Sequence, residues 1–390
     1  MKRLLLAFTL LVSLFARAQN NGNYAAEITT GKRISLITCG PGYQEIYEVF
    51  GHTAIRVTDS ASHMDIVYNY GTFNGFEESF ELKFMRGKLP YYLSVALFSD
   101  FMMEYVERHR TVYEQVLHFT PEQQKAFLNY LSWNAEPENR QYKYDFFFDN
   151  CATRIRDLYP KTLGNSFKFS PVLPSGSRLT FRDIINRYFY YTLWERFGIN
   201  ILLGSKIDKV MTDSDIMFLP DYLSKGVANS SSAAGVLTGQ PVEILPGNSN
   251  PPVPVNQPFL LTTVIALLTV AGLTIPRLRL LGRIMTTTLL LVTGLLGCLI
   301  IVMWFFTDHQ GCSNNFNILW ALPTNLFLAF KRPKGIGRYS LVAIGFILIT
   351  LILHIAGIQR ILMLEFLPLL LAMVYIYGTI FKRSGQTAIK

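Results

Sequence analysis

Cys151 and His52 are the residues whose types and surroundings suit nucleophilic catalysis. Cys151 ends the run Tyr144-Asp145-Phe146-Phe147-Phe148-Asp149-Asn150-Cys151 and opens a helical pattern, Ala152-Thr153-Arg154-Ile155-Arg156-Asp157. Asp149 or Asn150 suits the N-cap, since a side-chain oxygen there accepts an unpaired N–H of the first turn. Cys151 then lies in that turn, where free N–H groups and the helix dipole favour a thiolate. Arg154, one turn on, adds positive charge. A thiol nucleophile needs a base. His52 is the candidate, in Phe50-Gly51-His52-Thr53-Ala54-Ile55-Arg56-Val57, which alternates like a strand and would hold the imidazole rigidly. A third residue to orient the ring is open between Asn69, preferred for its place on the next strand, His63 and Tyr70. Each group also has a plain reading. A lone Cys is usually a small buried apolar residue, and Cys39 offers Cys151 a disulfide partner.

The elements that must position these groups form one α+β domain over residues 19–224. Strands are expected at Arg33–Cys39, over the His52 motif, at Asp65–Tyr70 and within Gly87–Leu97. Helices are expected at Tyr43–Phe50, Asp100–Arg108 and Pro121–Asn134, from Cys151 onward, and at Phe181–Tyr190 and Ile201–Val210. Thr120-Pro121-Glu122-Gln123 is a strong helix start, with proline at the first position. The net charge is +9, yet residues 24–224 hold 21 Lys and Arg against 24 Asp and Glu. That domain has no basic cluster of the kind nucleic acid demands. The four cysteines lack zinc-ligand spacing and the histidines are scattered, so neither a metal nor another cofactor is expected.

The positive excess reports membrane topology instead. Lys2 and Arg3, the apolar run Leu4–Phe15 and Ala16-Arg17-Ala18 read as a secretory signal over residues 1–18. Residues 225–258 carry six prolines among Ser, Asn and Gly and read as a linker. A membrane domain over 259–381 follows, with apolar segments at Phe259–Ile275, Met285–Phe306, Ile318–Phe330, Tyr339–Ala356 and Ile361–Phe381. The third is short and holds Pro323 and Asn325, and whether it crosses fully is open. Lys and Arg cluster after the first, third and fifth segments and are nearly absent from the other loops. The positive-inside rule then puts the soluble domain outside and the tail 382–390 inside. The polar loop Thr307–Asn317 shares the compartment of Cys151, as a connector or as a floor that positions substrate.

A His strand, a second strand and then a Cys helix reverse the order of ordinary papain-like enzymes. On Gly51-His52 and Asp149-Asn150-Cys151-Ala152-Thr153 the chain resembles circularly permuted, NlpC-type papain-like domains. With Tyr68-Asn69-Tyr70-Gly71-Thr72-Phe73 and Asn315-Phe316-Asn317-Ile318-Leu319-Trp320 added, nearly its full length resembles the Lnb-like lipoprotein N-acyltransferases of Bacteroidetes. The resemblance implies a multi-pass inner-membrane protein with a periplasmic thiol domain and five spans. It implies that Cys151 takes an acyl chain from a membrane phospholipid as a thioester. The acyl chain then passes to the α-amine of a lipoprotein's diacylglyceryl-cysteine, with His52 moving the protons. Asn150, Arg154, His309, Asn315, Asn317 and Trp320 are the expected substrate-binding residues. Two other readings use the same residues: a membrane-tethered cysteine peptidase or amidase of the cell envelope, and a non-catalytic scaffold or sensor with Cys151 buried.

Overall fold

A computed structural model of the 390-residue chain describes residues 32–387 apart from 77, 233–234, 249–250, 332 and 334. The expected signal segment, 1–18, and the end of the tail, 388–390, lie outside the described residues. Strands β1 (Arg33–Cys39), β2 (His52–Asp59), β3 (Met64–Phe73), β4 (Pro90–Leu97), β5 (Val112–Leu117), β6 (Gln141–Lys143) and β7 (Val242–Leu245) form one antiparallel sheet. Their spatial order is β6-β4-β3-β2-β1-β5-β7. Helices α1 (Phe80–Met85), α2 (Phe98–Glu107), α3 (Pro121–Ala135), α4 (Cys151–Leu163), α5 (Phe181–Tyr188), α6 (Leu193–Leu202) and α7 (Pro220–Val227) surround it.

Alternation along the strands decides what packs where. Ile34 and Leu36 of β1, Ile55 and Val57 of β2 and Ile66, Tyr68 and Tyr70 of β3 form the main core with α3 and with Ile155 and Leu158 of α4. Ile37 and Cys39 turn the other way and meet Phe101 and Tyr105 of α2. Cys39 pairs with His52 across β1 and β2, which fixes where the imidazole enters. Gly51 makes that entry possible: its φ is +72°, and a Cβ there would stand 2.4 Å from the Cys39 carbonyl oxygen.

Three sequence expectations need correction. Tyr43–Phe50 holds only one 3-10 turn, Ile46–Glu48. Ile201–Val210 is not a helix: α6 starts earlier and ends at Leu202, before Gly204, and a 3-10 turn Ser205–Asp208 follows. The linker expectation over 225–258 is wrong in part. Leu237 is buried in the main core, and Val242–Leu245 pairs with β5 as an edge strand, so the domain runs past 224. A proline- and glycine-rich stretch still supplies four residues of strand when a neighbouring edge is open.

The C-terminal part contains α8 (Gln257–Thr274), α9 (Arg279–Phe305), α10 (Asn325–Phe330), α11 (Ile336–Ile355) and α12 (Met363–Thr387). Four of these, all except α10, are long and apolar enough to cross a membrane. The third expected segment is instead a 3-10 turn, Phe316–Leu319, and the short α10, with Pro323 between them. It begins against α6, through Asn317 and Ile201. It ends at Phe330, and Pro333 and Gly335 beyond it line a cleft shared with Arg279, Arg283 and Arg383 at the far end of the bundle. Asn325 anchors its middle. The side chain accepts from Tyr377 at 2.8 Å and Tyr339 at 3.1 Å, and donates to Thr293 at 3.0 Å. A buried amide among apolar helices is tolerable when all its groups are paired in this way.

Candidate active site

The aromatic run before Cys151 closes on itself, with Asp145 and Asp149 bridged through their backbones. The chain then enters α4 through a capping box. Asn150 Oδ1 accepts the Thr153 N–H at 2.9 Å, and Thr153 Oγ1 accepts the Asn150 N–H at 2.7 Å. Asn150 is therefore the cap, while Asp149 pairs with Arg154 at 2.6 Å. Cys151 occupies the first helical position, beside the start of β2. His52 Nε2 lies 2.6 Å from Asn69 Oδ1, which leaves the other ring nitrogen for the thiol that it hydrogen-bonds. Of the three candidates for orienting the ring, Asn69 is the one in reach. Tyr70 donates to Asn134 at 2.7 Å, and His63 lies in the turn before β3.

Electrostatics separate the two cysteines of this domain, both of which are free thiols. Burial opposes ionisation of Cys151, but the His52 imidazole and the backbone N–H groups of Thr53 and Ala152 bring its pKa below the ordinary thiol value. Burial likewise acts against charge on His52, and the Cys151 thiolate and the bond to Asn69 outweigh it, raising its pKa. The two shifts share one cause, the charge that each group would carry beside the other. Cys39, buried without such a partner, is pushed up to about 12 despite a bond with Tyr105. The expected alternative, a Cys39–Cys151 disulfide, does not form.

The structure adds one residue to this centre. Tyr142 of β6 is buried, and its hydroxyl has no hydrogen-bond partner among the described residues. A Cβ built on Gly71 would stand 4.0 Å from that hydroxyl and 3.9 Å from both Cys151 Cβ and His52 Cε1. The three groups thus ring one small space. Arg154 lies over the Tyr142 ring at 4.2 Å. Burial and the nearby Cys151 keep the Tyr142 phenol protonated, its pKa well above the ordinary value. No sequence signal marks one tyrosine among 20.

The expected substrate-binding residues make contacts within the protein. Asn150 spends its side chain on the cap and on the carbonyls of Phe146 and Phe218, each at 2.9 Å. Arg154 holds Asp149 and Tyr142 in place. Asn315 and Asn317 are fully buried and cap α6 from the membrane domain. Asn315 donates to the carbonyls of Ile201 (2.8 Å) and Leu202 (2.9 Å), Asn317 to those of Asn200 (2.9 Å) and Ile201 (3.0 Å). Last-turn carbonyls have no partner within their own helix, so these amides meet a need that α6 cannot. Trp320 is fully buried and donates to Asn317 Oδ1 at 3.0 Å. His309 bonds the carbonyls of Phe84 and Met85, at 3.2 and 3.1 Å, at the end of α1. The buried, satisfied side chains of Asn150, Asn315, Asn317 and Trp320 have nothing to offer a substrate. The loop nonetheless brings the thiol centre to the membrane domain: Lys143 pairs with Asp308 at 2.9 Å, and Phe147 packs on Gly311. Among the described residues, no group of His, Cys, Asp and Glu is placed to hold a metal ion.

Residues 23–187 match the family model described as the Lnb N-terminal periplasmic domain, and residues 247–384 that of the Lnb transmembrane domain. Comparison with curated proteins and with solved structures finds no match.

Proposed function

This chain belongs to the Lnb family of lipoprotein N-acyltransferases, and we propose that Cys151, His52 and Asn69 form its catalytic centre. It is a thiol-dependent enzyme of the inner membrane, with its N-terminal domain in the periplasm, and it transfers an acyl group to a lipoprotein amine. The proposal extends to its partners. The donor is a membrane phospholipid, and the acceptor amine is the α-amine of a diacylglyceryl-cysteine. The observation that carries it is the Cys151–His52–Asn69 arrangement at a helix start, seated against the outer loop of a membrane domain.

In the first half-reaction the Cys151 thiolate attacks the ester carbonyl of the phospholipid. The Tyr142 hydroxyl and the first-turn N–H of Cys151 stabilise the oxyanion. The C–O bond then breaks, and His52 gives its proton to the departing lysophospholipid oxygen, leaving a thioester on Cys151. In the second, the acceptor amine attacks the thioester and His52 takes the proton that the amine loses. The C–S bond breaks, and the amide leaves with Cys151 again a thiolate beside His52 in its protonated form. Asn69 holds the ring in the tautomer and direction that both steps use.

Mass spectrometry of the full chain after incubation with phospholipid vesicles tests this. An adduct of one acyl chain on Cys151 is expected, discharged by a diacylglyceryl-cysteinyl peptide with formation of its N-acyl product. An unmodified Cys151 together with cleavage of the peptide at an amide bond would instead establish the peptidase reading.

A further inference from the structure

The first helix of the periplasmic domain is short and has no buried residue. Leu82, Phe84 and Met85 of α1 are 50, 54 and 49% exposed, and Phe76 in the loop before it is 89% exposed. A cluster of this size is costly in water and marks a surface meant to be covered. Its position says by what. The Asp308 N–H donates to the Arg86 carbonyl at 2.9 Å, and His309 bonds the carbonyls of Phe84 and Met85. Asp308 is two residues beyond Phe306, where the membrane-spanning α9 has just ended. Two residues reach at most about 7 Å, and the headgroup layer is about 5–7 Å deep on each side. The end of α1 is thus held at the depth of the lipid headgroups. Phe305 and Phe306, at the top of α9, are themselves about two-thirds exposed and continue the apolar surface.

A run of rings leads inward from this surface. Phe84 stacks on Phe80 with centroids 6.2 Å apart, Phe80 meets Phe73 at 5.7 Å, Phe73 meets Tyr91 at 5.4 Å and Tyr91 meets Tyr142 at 6.5 Å. Tyr142 ends the series at the thiol. We propose that α1 and Phe76 seat in the periplasmic leaflet, and that the acyl chain of the donor phospholipid reaches Cys151 along this series of rings. The inference rests on the reading that a membrane phospholipid is the donor. It assigns that donor an entry side, between α1 and the top of α9, and leaves the acceptor to approach from elsewhere.

The test uses the full chain reconstituted in vesicles of phosphatidylethanolamine and phosphatidylglycerol, with and without brominated acyl chains. The tryptophan introduced by Phe84→Trp is expected to be quenched by brominated lipid, read as the difference from the parent protein. The double variant Leu82→Asp/Phe84→Asp is expected to form the Cys151 acyl adduct at least about tenfold more slowly, because the apolar insertion is lost. Its labelling by iodoacetamide should match the parent, which shows that the thiol centre is intact. An unquenched tryptophan at position 84 overturns the seating of α1. Quenching with undiminished acyl loading in the double variant overturns the route. A parent protein that takes no acyl group from lipid overturns the donor reading and the route with it, while the quenching still decides where α1 lies.

Discussion

The thiol centre and the contact between the two domains are built from similar polar residues and are finished in opposite ways. At the contact the amides are spent. Asn315 Oδ1 accepts from the Asn317 N–H at 3.0 Å and from Gln359 at 3.2 Å, and Gln359 Oε1 accepts the Phe316 N–H at 2.7 Å. On α5, Arg182 is buried and bonded to Asp208, Asn200 and two carbonyls. At the thiol centre, one imidazole favours ionisation of Cys151, and the Tyr142 hydroxyl faces the same space with no partner among the described residues. A buried polar group left unpaired costs about 1–3 kcal/mol. Other buried groups are unpaired too, the Tyr159 hydroxyl among them, but the Tyr142 hydroxyl is the one that shares its space with Cys151 and His52. Sequence patterns flag both places equally, and the state of their hydrogen bonds tells them apart.

The largest effect that this contrast predicts is at Cys151. Cys151→Ser is expected to abolish acyl transfer while the protein stays folded and membrane-inserted. Full activity in that variant would remove the nucleophile from its proposed place. His52→Ala comes next, with a loss of about a hundred- to ten-thousand-fold in both thioester formation and aminolysis. It should also move the pH profile of iodoacetamide labelling. In the parent, the thiolate is present above the lowered pKa of Cys151 and is lost as pH falls through it. The labelling midpoint therefore lies below the ordinary thiol value of about 8.5. Without the imidazolium, that midpoint rises. Cys39, with its thiol near 12, should remain unlabelled across the neutral range in both proteins, and labelling of Cys39 at neutral pH would contradict the account of its burial.

Tyr142→Phe is a smaller and sharper probe. Removing one oxyanion donor costs about a hundredfold or more in turnover, and the phenyl ring keeps the packing, so lipid loading should slow while iodoacetamide labelling holds. Unchanged turnover would mean that the unpaired hydroxyl is a packing accident. The smallest catalytic effect belongs to the contact. Asn317→Ala orphans the Asn200 carbonyl and the Trp320 indole, at about 1–3 kcal/mol for each group left unpaired. The melting temperature in detergent should fall, and thiol labelling in the folded protein should stay at the parent rate. A loss of thiol reactivity equal to that of His52→Ala would place the contact within the catalytic centre.

Much of this protein is written locally. Asn150 three residues before Thr153 builds a cap whatever surrounds it, and so places Cys151 in a helix's first turn. Four apolar segments long enough to span a bilayer become spanning helices because their length and hydropathy require it. His52 follows a glycine on an alternating strand, and its face is set by the period of the strand. The rest depends on which distant groups meet. That Asn69 lies within hydrogen-bond reach of the imidazole follows from the pairing of β2 with β3. That the amides of Asn315 and Asn317 serve α6 follows from where that helix ends. Tyr142 reaches the thiol only because β6, three residues long, joins β4 at the sheet's edge. Hydrogen-bond satisfaction is a property of the packed whole. Each side chain carries the same donors and acceptors anywhere in the sequence, and tertiary contact alone decides which are spent on structure and which are left for substrate.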